Sequence, residues 1–428
     1  MFEIAIIGGG ASGLAAACAL ATTCAQGYGS CMRESVRIVL IEASDKVGRS
    51  ILRSGNGRCN FSNLAIDPNC YNDPSFVHDV LLAFEDEASR HSADSHRVRP
   101  NGVIGFLADA GLLWEGAGEG RVYPITNKAS SVLDILRALM EKSGIEVLTG
   151  VRVSKIMPAQ GVQKRFAVHL EDESVLHADA LIYAPGGKTA QSIELPLPLA
   201  PLRPILASLA TTERDVRALD GIRVHARLSV LRDGAVIFAD EGEVLFRKYG
   251  ISGIVTFDAS RFASAGDALV LDFFPERELD DLTAFLVERQ RIMDKMRSTP
   301  ACALDCLSGI LLPAFASVML KRVGIPENAS VDESVLQILA RQLKHFELTC
   351  DGIGDAAHSQ VMRGGVRTSV VERTTLEAAD IPDLFVCGEA LDVDGPCGGF
   401  NLHWAFASGL LAGWVLAERF QGESGCSQ

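Results

Sequence analysis

Gly8, Gly10 and Gly13 keep the spacing G-x-G-x-x-G directly after the apolar run Ile4-Ala-Ile-Ile7. Glycines so spaced suit one task, holding a pyrophosphate by main chain alone. The first permits a tight turn, the second lets backbone approach the anion, and the third lets the next helix pack on the strand. That helix reads through Leu14-Ala-Ala-Ala-Cys-Ala-Leu-Ala21. Its unpaired N–H groups and positive dipole end, at Ala11 and Ser12, would face the phosphates. A second chemical group closes the next apolar run, Val36-Arg-Ile-Val-Leu-Ile-Glu42. A carboxylate there can accept both hydroxyls of an adenosine ribose, which favours FAD or NAD over a 2′-phosphorylated cofactor. Glu42 lies 29 residues after Gly13, beyond the usual spacing of roughly 20. The surplus falls in residues 22–35, read as a long loop between helix and strand.

Two further segments carry groups suited to the same ligand. In Ser54-Gly-Asn-Gly-Arg-Cys-Asn60, preceded by Gly48-Arg49, small residues surround a guanidinium. Such backbone can turn N–H groups toward an anion while Arg58 adds charge and a planar donor fork. Arg49, Gly55, Gly57, Arg58, Cys59 and Asn60 are therefore assigned to the phosphate–ribityl side, with Cys59 as a structural thiol. Near the other end, Leu384-Phe-Val-Cys-Gly-Glu-Ala-Leu-Asp392 has the pattern of a buried strand ending in Gly388, Glu389 and Asp392, which would hold a ribityl chain. Asn401 and Leu402 then open a proline-free amphipathic helix over 402–420. Its first N–H groups would face a flavin pyrimidine, where the dipole favours the electron-rich reduced ring.

These groups need a scaffold of alternating strands and helices. Apolar spacing predicts helices over 74–90 and 132–142. From 147 to 184 the period shifts toward two, with strands near 151–157, 166–170 and 180–184. They read as a three-stranded layer that returns the chain to the nucleotide sheet, with Val153 and Gly186 on the cofactor side. Residues 189–275 carry prolines at 196, 198, 201 and 204 and then short alternating runs, the mark of an antiparallel β domain. Residues 276–344 change to helical periodicity, and 346–362 return to β. The expected fold is α/β: a nucleotide-binding domain built from both ends of the chain (1–188 and 365–428), a separate antiparallel β domain (189–275 and 345–364) and a small helical insertion (276–344).

A chain of 428 residues that is 48% hydrophobic can support about three domains. The net charge of −14 opposes nucleic acid and anionic membranes, so the expected partner is a small-molecule substrate. No apolar stretch is read as reaching the roughly eighteen residues of a membrane span, and 410–417 is taken as a helix face. The N-terminus enters the first strand without a charged leader. Eleven scattered cysteines, with no C-x-x-C and no His/Cys cluster, fit reduced thiols, a cytoplasmic setting and no metal.

The long runs Gly-Asn-Gly-Arg-Cys-Asn-Phe-Ser-Asn63 and Gly388-Glu-Ala-Leu-Asp-Val-Asp-Gly395, followed by Gly398-Gly-Phe-Asn-Leu402, are more specific than the opening turn. With 7–16, 120–131, 184–187, 242–253 and 364–366, they make the chain resemble the bacterial FAD-binding flavoprotein family that includes aminoacetone oxidase and bile-acid reductases. The resemblance implies a discontinuous Rossmann-like FAD-binding domain with an inserted β-barrel-like substrate domain and a small helical domain, and an FAD-dependent oxidoreductase acting on a small organic substrate held between them. Three positions depart from the family pattern: the segment 188–201 is short and rich in Pro and Leu, Lys248 stands where His is frequent, and His403 stands where Gln is usual. His403 could deliver a proton near the flavin or serve as a structural histidine beside Trp404. Tyr249 and Lys248 could line the substrate side. With one dinucleotide fingerprint, NADH or NADPH would dock transiently over the flavin, or electrons would come from substrate and pass to oxygen. Two other readings are a non-catalytic or redox-sensing FAD-binding protein and a tRNA-modifying flavoprotein, the latter opposed by the acidic charge.

Overall fold

The computed structural model describes residues 2–27, 36–92, 99–159, 165–190 and 192–425. Strands β1 (Phe2–Ile7), β2 (Val36–Glu42), β3 (Glu146–Thr149), β4 (Ala180–Tyr183) and β5 (Leu384–Val386) form a sheet in the order β5-β4-β1-β2-β3. Every neighbouring pair is parallel. All of β4 and β5 is buried, as expected of strands covered on both faces. The third strand of the small antiparallel layer is Val175–Ala178, pairing with Phe166–Leu170. The run 180–184, read as that strand, instead joins the parallel sheet with Ile4 opposite Ala180. Asp179 makes the switch: its N–H donates to Glu3 O and its carboxylate accepts from Glu3 N–H, both at 2.8 Å.

Helix α1 (Ala11–Gly27) extends through 22–27, which the sequence reading gave to a loop. The rest of that expected loop, 28–35, lies outside the described residues. Helices α2 (Pro74–Arg90) and α3 (Phe400–Gly425) pack in the same unit. Small residues allow α1 and α3 to cross closely. A Cβ on Gly409 would lie 2.2 Å from the Ser12 carbonyl oxygen, and one on Gly413 2.6 Å from that of Ala16. Within α3, residues 400–420 are long and apolar enough to cross a membrane by length and composition, which corrects the expectation that no stretch is. Its apolar window is 78% buried inside the protein, so its hydrophobicity is used in the core.

The chain divides into two compact units, Met1–Arg203 with Val361–Gln428, and Pro204–Gln360. Residues 189–203 and 361–364 thus join the nucleotide unit, where strand Leu199–Ile205 pairs with Val361–Val366. In the second unit, six strands between Leu209 and Ile353 close an antiparallel barrel. The helices of 276–344, expected as a separate domain, share the barrel core. Phe315 lies 5.1 Å from Phe246, 5.3 Å from Phe273 and 5.2 Å from Phe346, ring centre to ring centre. Burying those rings together removes the apolar surface that a separate helical body would need for itself.

Candidate functional site

Gly8 ends β1 with φ +105°, and a Cβ there would lie 2.3 Å from the carbonyl oxygen of Ala184, just past β4. Only glycine meets both demands. The Gly9 N–H donates to Glu42 Oε2 and the Ser44 N–H to Glu42 Oε1, each at 2.7 Å. Each carboxylate oxygen keeps a free lone pair, so the turn orients Glu42 without exhausting it. The Gly48 N–H donates to the Gly9 carbonyl at 2.7 Å, which closes the second glycine segment onto the first. A Cβ on Gly10 would meet only Ser50 Oγ, at 3.3 Å, among the described residues. The face of the turn is therefore open where a pyrophosphate needs backbone. A shallow, solvent-open cleft at Gly8 is lined by Glu42, Val153, Thr189 and Ser192 among others. Gly186, with φ +77° and nothing within 4 Å of its Cβ position, adds open backbone after β4.

Ala11 and Ser12 form the buried first turn of α1. Gly55, Asn56 and Gly57 are successive left-handed residues, leaving Arg58 exposed with its guanidinium 4.8 Å from the Tyr123 ring centre. Arg49 is also exposed, paired with Asp45 at 3.2 Å. Cys59 and Asn60 are anchors instead. Burial pushes the Cys59 thiol up to about 12, and Asn60 Oδ1 accepts from the Val122 N–H at 3.1 Å. Asn60 Oδ1 also lies 2.9 Å from the Cβ position of Gly399, so this segment reaches the start of α3 as well.

The late segment meets the first turn at Gly388, whose Cβ position is 2.3 Å from Ser12 Oγ. Helix α3 holds Gly388 from below: Ser408 Oγ accepts its N–H at 2.9 Å, and Trp404 Nε1–H donates to its carbonyl at 3.1 Å. Glu389 accepts from the Met362 N–H at 2.7 Å and faces Gly187, with burial pushing its carboxyl up to about 7. Asp392 holds backbone of the neighbouring strand. Its Oδ1 accepts from the Gly364 N–H at 2.9 Å, which pins the loop to the strand 361–366. Asn401 likewise holds backbone: its amide accepts from the Gly395 N–H at 2.9 Å and donates to the Gly395 carbonyl at 2.8 Å. Sequence reasoning missed Trp404, Ser408 and the Arg363–Asp394 pair. The small residues Gly409 and Gly413, four apart in an apolar helix, were the available sign of the α1 crossing.

The catalytic candidates are placed as follows. Lys248 is exposed and Tyr249 half-buried, both in the second unit's turn between strands Ala235–Arg247 and Gly250–Ser252. Tyr249 shares a 3.1 Å hydrogen bond with Ser208. His403 is 1% exposed, and its Nδ1 shares a hydrogen bond of 3.0 Å with Ser62 Oγ, which also accepts from Asn101 Nδ2–H at 3.2 Å. Burial pushes its imidazole down to about 3, so near pH 7 it is neutral and held in the core by Ser62. An unfolded chain takes up this proton near pH 6.5. Between there and pH 3 the unfolded state binds a proton that the folded state does not, so stability falls as the pH falls. Relative to His403→Gln, the wild type is expected to lose about 2 kcal/mol between pH 7 and pH 5. Urea unfolding of both proteins at the two pH values checks this; equal losses would refute it.

The profile of the HI0933-like protein Rossmann domain matches residues 2–415. The chain belongs to the HI0933-like family. This HI0933-like protein is 32% identical over 443 residues to the 3-dehydro-bile acid delta(4,6)-reductase of Clostridium scindens, covering 98% of this chain and 100% of that protein. It is 25% identical to the ribosomal RNA dihydrouridine synthase of Haemophilus influenzae, covering 95% and 96% of the two chains. The Escherichia coli ribosomal RNA dihydrouridine synthase is 26% identical, with 97% of each chain covered. With the glycine turn, the oriented Glu42 and the open face at Gly10, the site fits FAD. The protein is an FAD-dependent oxidoreductase.

Proposed function

We propose that this HI0933-like protein reduces a carbon–carbon double bond conjugated to a carbonyl group in a small organic substrate, with NADH or NADPH as the electron source. The observation that carries the reading is the 32% identity, over the full length of both chains, to a reductase named for 3-dehydro bile acids. When bound, FAD supplies the hydride chemistry. The chain's own residues bind and orient it. Glu42 takes the adenosine ribose hydroxyls, the backbone at Gly10 to Ser12 takes the pyrophosphate, and Arg49 and Arg58 add positive charge beside it. The first turn of α3 directs its positive dipole end toward the ring.

A second reading comes from the two dihydrouridine synthases, whose names denote saturation of a double bond in an RNA base. The same bond chemistry would serve there, whereas the net charge of −14 opposes an RNA partner. Anaerobic mixing of the flavin-loaded protein with NADH and then NADPH, followed in the flavin absorption band, separates the possibilities. Bleaching by a nicotinamide and recovery on adding a 3-keto-4-ene steroid is the expected result. Recovery with uridine-containing RNA alone would transfer the assignment to the second reading, and a flavin that neither nicotinamide bleaches would overturn the proposed electron source.

A further inference from the structure

Helices α2 and α3 bring together three side chains that the dinucleotide site does not use. Glu87 and His91 stand one turn apart at the C-terminal end of α2, and Glu418 comes from α3. His91 Nε2 lies 3.8 Å from Glu87 Oε2 and 3.6 Å from Glu418 Oε1. One donor atom from each residue lies within 4.8 Å of the others. Glu87 is 7% exposed. Its Oε2, like His91 Nε2, is buried with no hydrogen-bond partner among the described residues. Buried polar atoms left in that state are costly, and a cation shared between them removes the cost. We propose that Glu87, His91 and Glu418 form a binding site for a divalent transition-metal ion of the zinc type.

The surroundings suit that ion. A tetrahedral Zn²⁺ with bonds of about 2.0–2.1 Å sets its ligand atoms about 3.4 Å apart. The two His91 separations therefore need to close by only a few tenths of an ångström. Glu418, with its side chain 42% exposed, has room to swing. An imidazole with carboxylates is a donor set for zinc rather than for magnesium or calcium. Burial lowers the His91 pKa and favours the neutral imidazole that a metal requires. Arg90 donates to Glu87 Oε1 at 2.7 Å, which orients that carboxylate and leaves Oε2 for the ion. Arg90 also stands 3.8 Å from Glu418 Oε1, so with two carboxylates the cluster keeps one net negative charge to attract a cation. The last turn of α2 adds the negative end of its dipole. His91 stacks on Trp414 with ring centres 5.0 Å apart and planes 11° from parallel, which fixes the ring and makes Trp414 a reporter.

The test titrates chelator-treated, flavin-loaded protein with Zn²⁺ alone, followed by calorimetry and tryptophan emission. One ion per chain is expected, with an emission change that Trp414→Phe removes. His91→Gln and Glu87→Gln should each weaken binding by about tenfold or more, while retained flavin absorption shows that each variant is folded. Should the buried variants unfold, Glu418→Gln on the open side serves the same purpose. Absence of binding below millimolar zinc would overturn the proposal, as would binding that His91→Gln and Glu418→Gln leave unchanged, because the ion would then sit elsewhere, for example on cysteines.

Discussion

Gly13→Ala is expected to leave little folded, flavin-retaining protein, whereas Gly10→Ala folds and loses the ligand alone. The Cβ of residue 13 would lie 1.9 Å from the Gly8 carbonyl oxygen and 3.6 Å from Ile6 Cγ2. The first of these is backbone at the end of β1, so α1 would have to lift off the sheet. Its other face prevents that, since the Cβ positions of Gly409 and Gly413 lie 2.2 Å and 2.6 Å from α1 carbonyl oxygens. Overpacking costs typically about 1–3 kcal/mol where neighbours can yield. With α1 fixed from both sides we expect about 3 kcal/mol or more, a large share of the roughly 5–15 kcal/mol that keeps a protein folded. A methyl on Gly10 meets only the Ser50 hydroxyl, which can rotate away, so stability changes little. It projects from the open face, however, and holds a pyrophosphate off the backbone. Flavin affinity should fall by roughly tenfold or more, about 1.4 kcal/mol per factor of ten. Thermal unfolding of the apoproteins, with bound flavin per chain after dialysis, measures the two effects separately. Wild-type unfolding in Gly13→Ala, or full flavin retention in Gly10→Ala, would contradict this account of the turn.

Those glycines also show why the nucleotide half was legible in the sequence. The turn, β2 ending in Glu42, and the buried run of β5 are local patterns, and each is imposed by contacts with the next element along one sheet. The hidden features depend on partners distant in sequence. Asp392 and Asn401 are carboxylate and amide groups beside a glycine-rich loop, as a cofactor ligand would be. What the sequence does not reveal is that each also holds backbone, the Gly364 N–H for one and Gly395 for the other. His403 looks reactive next to Trp404 until Ser62, from a segment near the other end of the chain, is found bonded to it. Alternation misled between 175 and 183 because two short strands of different sheets adjoin, and only the Asp179–Glu3 bonds mark the change. The helices of 276–344 were legible as helices, but their shared core with the barrel rests on Phe315 meeting rings from three other segments.

Asp394→Ala should destabilise the nucleotide unit by about 3–5 kcal/mol, the range for removing one member of a buried ion pair. Asp394 is fully buried and its Oδ1 accepts from Arg363 Nη2–H at 2.7 Å, with a second bond from Nε to Oδ2. The alanine variant leaves a guanidinium that is only 20% exposed without its two-point acceptor. The loss extends to the cofactor side. Asn72 Oδ1 accepts the Asp394 N–H at 2.8 Å, and the Asn72 N–H donates to the Asp394 carbonyl at 3.0 Å. Tyr71 in turn donates its hydroxyl to the Phe400 carbonyl at 2.9 Å. Loosening residue 394 therefore loosens the start of α3, and flavin should dissociate more readily from whatever folded protein remains. Arg363→Met/Asp394→Leu removes both charges together and is expected to recover part of the stability, because much of the single variant's penalty comes from a buried guanidinium set beside an apolar side chain. It should not recover flavin affinity to the same degree if the ion pair also sets the position of α3. Denaturant unfolding of the single and double variants, with flavin dissociation rates alongside, distinguishes these effects. A single variant that costs less than about 1 kcal/mol would mean that the pair behaves like a solvated surface bridge.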